Sequence, residues 1–419
     1  MTKRARGRIG LGLLLLVGVI MITGSVGAEP TLGPPVGPIA LQCTTGPTFN
    51  LETATGHIYT PDGNSVLMWS FTTNSGSFQL PSPVLCVTQG DTVMVNLTNY
   101  LDEPVSIVFP GQGGVGATGD LTGLFTAEAA ACTGAPPCTP GTASYTFTAS
   151  EPGTYLYESG TDPHKQIEMG LYGALIVYPN LTPPAGVGYA YNSSTAYEAG
   201  REYLIILHEI DPELHLAVEQ GLPYDATAFH PTYWTVNGRA FPDSIAENYA
   251  PWLPNQPYGA LVQVRASAAL PALIRYANAG LVNHPFHPHG NHLRVIARDG
   301  RLLADDFEDF TRTIGSGQTY DLLFKWEQVD AWISPGGTPV PVTIPGLQNL
   351  VFKDGATFYS GDPELGETDK FPVDVVTYSE CGEFYFPWHS HALFEFTNFD
   401  EGFGGLATLL RVEPPGGCP

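Results

Sequence analysis

Turn-forming residues set the limits on what this chain can become. Its 419 residues include 48 glycines and 38 prolines, while only 14% are charged. Glycine and proline interrupt helices and fit turns, so a chain punctuated this densely is predicted to be all-β. The segments between the turns carry the right period. In Asp91–Asn99, Val93, Val95 and Leu97 alternate with mostly polar neighbours, as in a half-buried strand. Thr154–Tyr157 is a second strand, and Gly173–Tyr178 is a continuous apolar run suited to a sandwich core. Tyr203–Leu207, Tyr233–Val236, Leu261–Val264, Ala272–Tyr276, Leu293–Ala297, Tyr320–Trp326 and Leu406–Val412 continue the series. Asn237-Gly238 is a hairpin-turn signal. Asp211–Gly221 reads as a short helix, and no βαβ rhythm runs through the chain. Two β-sandwiches fit best.

The N-terminus has the layout of a secretory signal peptide. Lys3, Arg4, Arg6 and Arg8 precede the apolar run Leu11–Ile22, and Val26-Gly27-Ala28 offers a small-residue cleavage site. Residues 1–28 are therefore expected to leave, and the protein to be exported, periplasmic or extracellular. The run is short for a membrane span of about 20 residues, and no later stretch is apolar enough. The remaining 391 residues are too long for one ordinary core. They divide into a flexible leader (29–40), a first domain (41–180), a Gly-, Tyr- and Ser-rich linker (181–199), a second domain (200–413) and a tail (414–419).

Charge and cysteines narrow the setting. Loss of the four basic signal residues from the total of 17 leaves 13 against 41 acidic residues, a formal charge of −28. Such a surface repels phosphate backbones, which argues against nucleic acid as a partner. Six cysteines in an exported chain point to disulfides. Cys132 and Cys138 bracket a short loop and are expected to pair. The other four leave several pairings open, of which Cys43–Cys86 and Cys381–Cys418 are the expected ones.

Five of the 11 histidines fall in two short segments, Asn283–Gly290 and Pro387–His391. Residues two apart in extended chain face the same way, so His287 with His289, and His389 with His391, can each converge on one centre. Imidazole clusters suit copper, zinc, iron or nickel. His284 points elsewhere. His208, Glu209 and His215 read as a solvated surface group, with a separate surface metal site as the alternative. No nucleophile elbow, phosphate loop or dinucleotide glycine pattern is present.

At these residues the chain resembles the multicopper oxidases. His284-Pro-Phe-His287-Pro-His289-Gly290 is similar to their HxxHxH motif, and His389-Ser390-His391 to their HCHxxxH motif. Gly153–Tyr157 and Gly170–Val177 resemble the segments flanking a further HxH, and Val105–Ile107 the lead-in to another. The resemblance implies two cupredoxin-like Greek-key domains, copper as the metal with zinc less favoured, and oxidoreductase ancestry. It also implies losses. The blue-copper cysteine position holds Ser390, and the final histidine position holds Glu395. The first-domain ligand positions read Val108, Pro110, Glu158 and Gly160. The expectation is one reduced copper site built from His287, His289, His389 and His391 between the domains, with His284, Glu158 and His164 as weaker candidates. Binding is expected to fade near about pH 6.5, where free imidazole protonates. Two other outcomes stay open. One is a non-catalytic envelope metal-binding or structural protein. The other is a nitrite-reductase-like or oxidase-like enzyme completed by a homo-oligomer.

Overall fold

In the computed structural model of the protein, residues 40–73, 76–134, 137–266, 268–290, 292–326, 350–351, 357–358, 384–399, 401–402, 404–413 and 417 are described. The signal peptide, nearly all of the leader, the Cys381–Cys418 pairing and most of the tail lie outside these residues. The described residues belong to one unit. No described helix is long and apolar enough to cross a membrane.

Two pairs of sheets make the fold. In the first half, Thr48–Tyr59 pairs with Ser65–Thr73 and Thr92–Asn99, and Gly141–Thr148 and Gly116–Gly119 complete a five-stranded sheet. Facing it, Leu85–Thr88, Tyr172–Tyr178 and Gly153–Glu158 lie side by side. Val93, Val95 and Leu97 are buried while Met94 between them is exposed, so the period-two pattern marks the core side as expected. The disulfides Cys43–Cys86 and Cys132–Cys138 form, with Cα–Cα separations of 5.6 Å and 5.5 Å.

The second half repeats the scheme on a larger scale. Glu202–Ile210, Tyr233–Val236, Ala272–Asn278, Thr319–Phe324, Leu293–Arg298 and Arg301–Asp309 form a six-stranded sheet. Val262–Arg265, Ala407–Glu413, Phe384–Ser390, His284–Pro288 and Arg312–Ile314 form the opposing sheet of five. The Asn237-Gly238 turn has both residues at positive φ, 53° and 74°, the conformation a two-residue hairpin requires. The helix Pro212–Gln220 starts on Asp211, whose side chain accepts from the Glu213 amide, and stops on left-handed Gly221.

Each half has its own apolar core, and a third apolar cluster joins them. Leu80, Ile167, Tyr172 and Ile176 of the first half meet Leu204, Ile206 and Tyr233 of the second there. This junction covers the outer face of Glu202–Ile210, so all nine of its residues are buried. Residues 181–199, expected to be a linker, hold a small hairpin of Val187–Tyr189 and Ala196–Glu198.

Candidate metal centre

Strand register brings the two histidine segments together. His284–Pro288 runs antiparallel to Phe384–Ser390 with His287 directly opposite His389. The Trp388 indole N–H donates to the His289 carbonyl at 3.0 Å and fixes the end of the motif. The rings of His287 and His289 lie 4.7 Å apart between centroids, His287 and His391 4.8 Å, and His289 and His389 5.2 Å. The Nε2 atoms of His289 and His389 approach to 3.1 Å, close enough to share one ion or one proton.

The outward nitrogens are committed elsewhere. His389 Nδ1 donates to the Ser390 carbonyl at 2.7 Å, an oxygen that can only accept. His287 Nδ1 meets Thr311 Oγ1 at 2.5 Å. Bonds of this kind fix the tautomer and turn Nε2 inward, as around bound metals. Burial lowers the pKa of His289 to about 4, helped by the neighbouring imidazoles. His287 and His389 shift down for the same reasons. Neutral rings with free lone pairs are the form that ligates. No group of three or more donors already stands around one point among the described residues, so the fit rests on the converging His289–His389 pair.

Among the described residues, the hydrogen-bond and ring partners of these histidines lie in the second half. Phe310 and Thr311 border His287, and Phe396 stacks on His389. His391 is exposed. Among the described residues, no hydrogen bond or ring contact from the first half reaches these rings. Glu158 pairs through its backbone with Val108, and burial raises its carboxyl pKa to about 7. A side chain at Gly160 would strike Val108 at 2.5 Å, so that position has no room for a ligand. His164 sits in the short helix Pro163–Glu168, edge-on to Phe229. Neither Glu158 nor His164 contacts the four histidines among the described residues.

His284 is held apart from them by a different chemistry. It is fully buried, with Nδ1 2.9 Å from Glu395 Oε2 and Nε2 3.1 Å from Glu209 Oε2. Burial alone would lower its pKa, but the two carboxylates outweigh that and raise it to about 9. His284 is thus an imidazolium donating from both nitrogens. Burial pushes Glu209 up, and the His284 hydrogen bond overcomes this and holds it below the usual range. Glu209 also accepts from the backbone amides of Leu281 and Val282. Ser390 Oγ accepts from the Ala392 amide at 3.2 Å. Both His284 nitrogens are occupied, which removes it from the ligand candidates.

His208, Glu209 and His215 are a correction to the surface reading, since all three are buried. The sequence showed the strand and the helix but not the junction that covers both. His215 Nδ1 donates to the Leu67 carbonyl at 2.6 Å, and burial lowers its pKa to about 4. His208 Nε2 lies 3.3 Å from the Ile167 carbonyl, and its ring stacks on Tyr172. Glu168 was missed altogether. It is fully buried, its pKa is pushed up to about 8 by burial, and it accepts from the Asp211 amide at 2.6 Å. Its only sequence signal is a place in a six-residue helix too short to call.

The sheet pairs and the histidine strands define a cupredoxin-fold protein with an imidazole cluster on its second sandwich. Comparison with known proteins agrees. The family model for multicopper oxidase matches residues 59–182. An L-ascorbate oxidase of Cucurbita maxima is 30% identical over 299 residues, covering 65% of this chain and 46% of that protein. The chain thus spans about half the length of the curated relatives it matches. The blue copper oxidase of Nitrosomonas europaea superposes with a TM-score of 0.55 at 19% identity, over 88% of this chain and 86% of that one. The multicopper oxidase mgLAC gives 0.56 at 18% identity, over 89% and 87%. The family model and the ascorbate oxidase match support the multicopper oxidase family, and the superpositions show the cupredoxin fold.

Proposed function

We propose that this is an exported copper-binding member of the family, with one mononuclear site formed by His287, His289, His389 and His391 and no blue copper centre. The single observation that carries the reading is the 3.1 Å approach of His289 Nε2 to His389 Nε2, beside a strand register that sets His287 directly opposite His389. The lowered pKa values favour neutral rings, and copper is preferred to zinc by the Irving–Williams order. The absence of blue copper is supported by Ser390, which has no thiolate, and by His284, whose nitrogens are engaged by carboxylates. With the first-domain positions Val108, Pro110 and Gly160 unable to ligate, four-electron oxygen reduction has no complete cluster. The domain limits, 41–180 and 200–413, and signal cleavage after Ala28 belong to the same proposal.

A second reading is favoured by one observation. His391 is exposed and His287 only partly covered, while Glu158 lies in the other half without a side-chain partner among the described residues. A homo-oligomer that set Glu158 of one chain against the histidines of the next would complete a five-donor copper site capable of turnover. The test of the main reading is copper analysis of the wild type and of His287→Ala with His389→Ala. One copper per chain in the first and none in the second supports it, whereas an unchanged copper content in the double variant sinks it. Sedimentation of the same samples separates the readings, since the second requires an oligomer that binds copper and a monomer that does not.

A further inference from the structure

A cavity of about 580 Å³ opens beside the helix Pro212–Gln220, and none of the four clustered histidines lines it. Its size falls within the range of small-molecule sites, about 300–1,000 Å³. One wall is hydrocarbon and aromatic, made by Trp69, Leu214, Val218 and Tyr224. Three carboxylates, Asp102, Glu103 and Asp162, line it beside the Lys165 ammonium and the His164 ring.

The charges are unevenly satisfied. Glu103 pairs with Lys165 at 2.5 Å and accepts from Gln166 Nε2 at 2.9 Å. The side chains of Asp102 and Asp162 have no hydrogen bond or ion pair among the described residues, although the Asp162 carbonyl accepts from the Gln166 amide. Asp162 stands at the N-cap of Pro163–Glu168 yet does not cap that helix with its side chain. Lys165 also shows what the aromatic wall accepts, because its ammonium lies 5.2 Å from the Trp69 ring centroid. Trp69 is 4% exposed, and its indole N–H finds no acceptor among the described residues.

We propose that this cavity binds a small organic cation with an apolar or aromatic body, an amine or a quaternary ammonium. Asp102 and Asp162 would hold the charge, and the Trp69 wall would take the body. An anion is disfavoured by the two free carboxylates and by the acidic chain around them.

The probe is benzyltrimethylammonium, titrated into the full-length protein in a calorimeter at low salt, with benzoate and benzyl alcohol as the anionic and neutral comparisons. One saturable site is expected for the cation alone. Asp102→Asn with Asp162→Asn, both at exposed positions, should weaken it by at least about tenfold. Ala226→Trp, on the exposed rim, should block it by filling the space. Near-ultraviolet circular dichroism checks that both variants keep the fold. No saturable heat with the wild type, equal binding of benzoate, or affinity unchanged in both variants would overturn the proposal. Because the copper-cluster histidines are untouched, the outcome is independent of the copper reading.

Discussion

Removing Glu209 tests the buried Glu209–His284–Glu395 arrangement quantitatively. In Glu209→Ala, the His284 imidazolium loses one of two carboxylates, and the Leu281 and Val282 amides lose their acceptor. Breaking a buried ion pair from one side typically costs about 3–5 kcal/mol. The titration gives a second route to the magnitude. His284 rises from 6.5 to about 9 on folding, and about 1.4 kcal/mol per pKa unit puts its contribution at about 3 kcal/mol. The sign follows from the folded state holding this proton more tightly. The stabilisation is full below about pH 6.5 and is lost as pH rises through about 9. Urea unfolding followed by far-ultraviolet circular dichroism at pH 6, 8 and 10 measures both quantities. The variant should be about 3–5 kcal/mol less stable at pH 6. By pH 10 the gap should shrink to about 1–2 kcal/mol, from the orphaned amides. A gap below about 1 kcal/mol at pH 6, or one that does not narrow with pH, would refute a charged His284.

Other variants probe neighbouring parts of the same account. Glu168 has its carboxyl pKa raised to about 8 by burial, so ionising it opposes folding and stability should fall between about pH 4.5 and 8. Glu168→Gln removes that slope and should be more stable than wild type at pH 9 by chemical denaturation. Gly280→Ala would place a methyl 1.8 Å from Glu209 Oε2, and thermal unfolding should show a marked loss of stability from this one added carbon. Thr311→Val deletes the partner of His287 Nδ1. Competition with a chelator should show copper affinity about 10–100-fold lower, the usual effect of losing such a bond, with the fold unchanged.

The fold was largely legible because its signals are local. Val93, Val95 and Leu97 alternate, Asn237-Gly238 supplies its own turn geometry, and Asp211 and Gly221 cap the helix between them. The HxH spacing likewise foretold that two pairs of rings would share a face, and register supplied the rest by setting His287 opposite His389. What was hidden depends on packing between the halves. Tyr203–Leu207 reads as a strand, but nothing in it announces that the strand runs on to Ile210 or that Tyr172 and Ile167 cover its second face, so His208 and Glu209 read as solvated. The fate of His284 was hidden for the same reason, since Glu209 and Glu395 lie 75 and 111 residues away in sequence. Protonation depends on the same packing. Free imidazole suggested loss of copper near about pH 6.5, whereas burial and mutual repulsion lower His289 to about 4 and move proton competition into more acidic solution.

The central claim is one copper per chain, held by histidines alone. Its most direct measurement is paramagnetic resonance and visible absorption of the protein purified with copper, referenced to metal content. The account predicts one Cu(II) per chain, with hyperfine structure from nitrogen ligands and no intense copper–thiolate band, since residue 390 is serine. An intense blue colour, three or more coppers per chain, or no retained copper would contradict it.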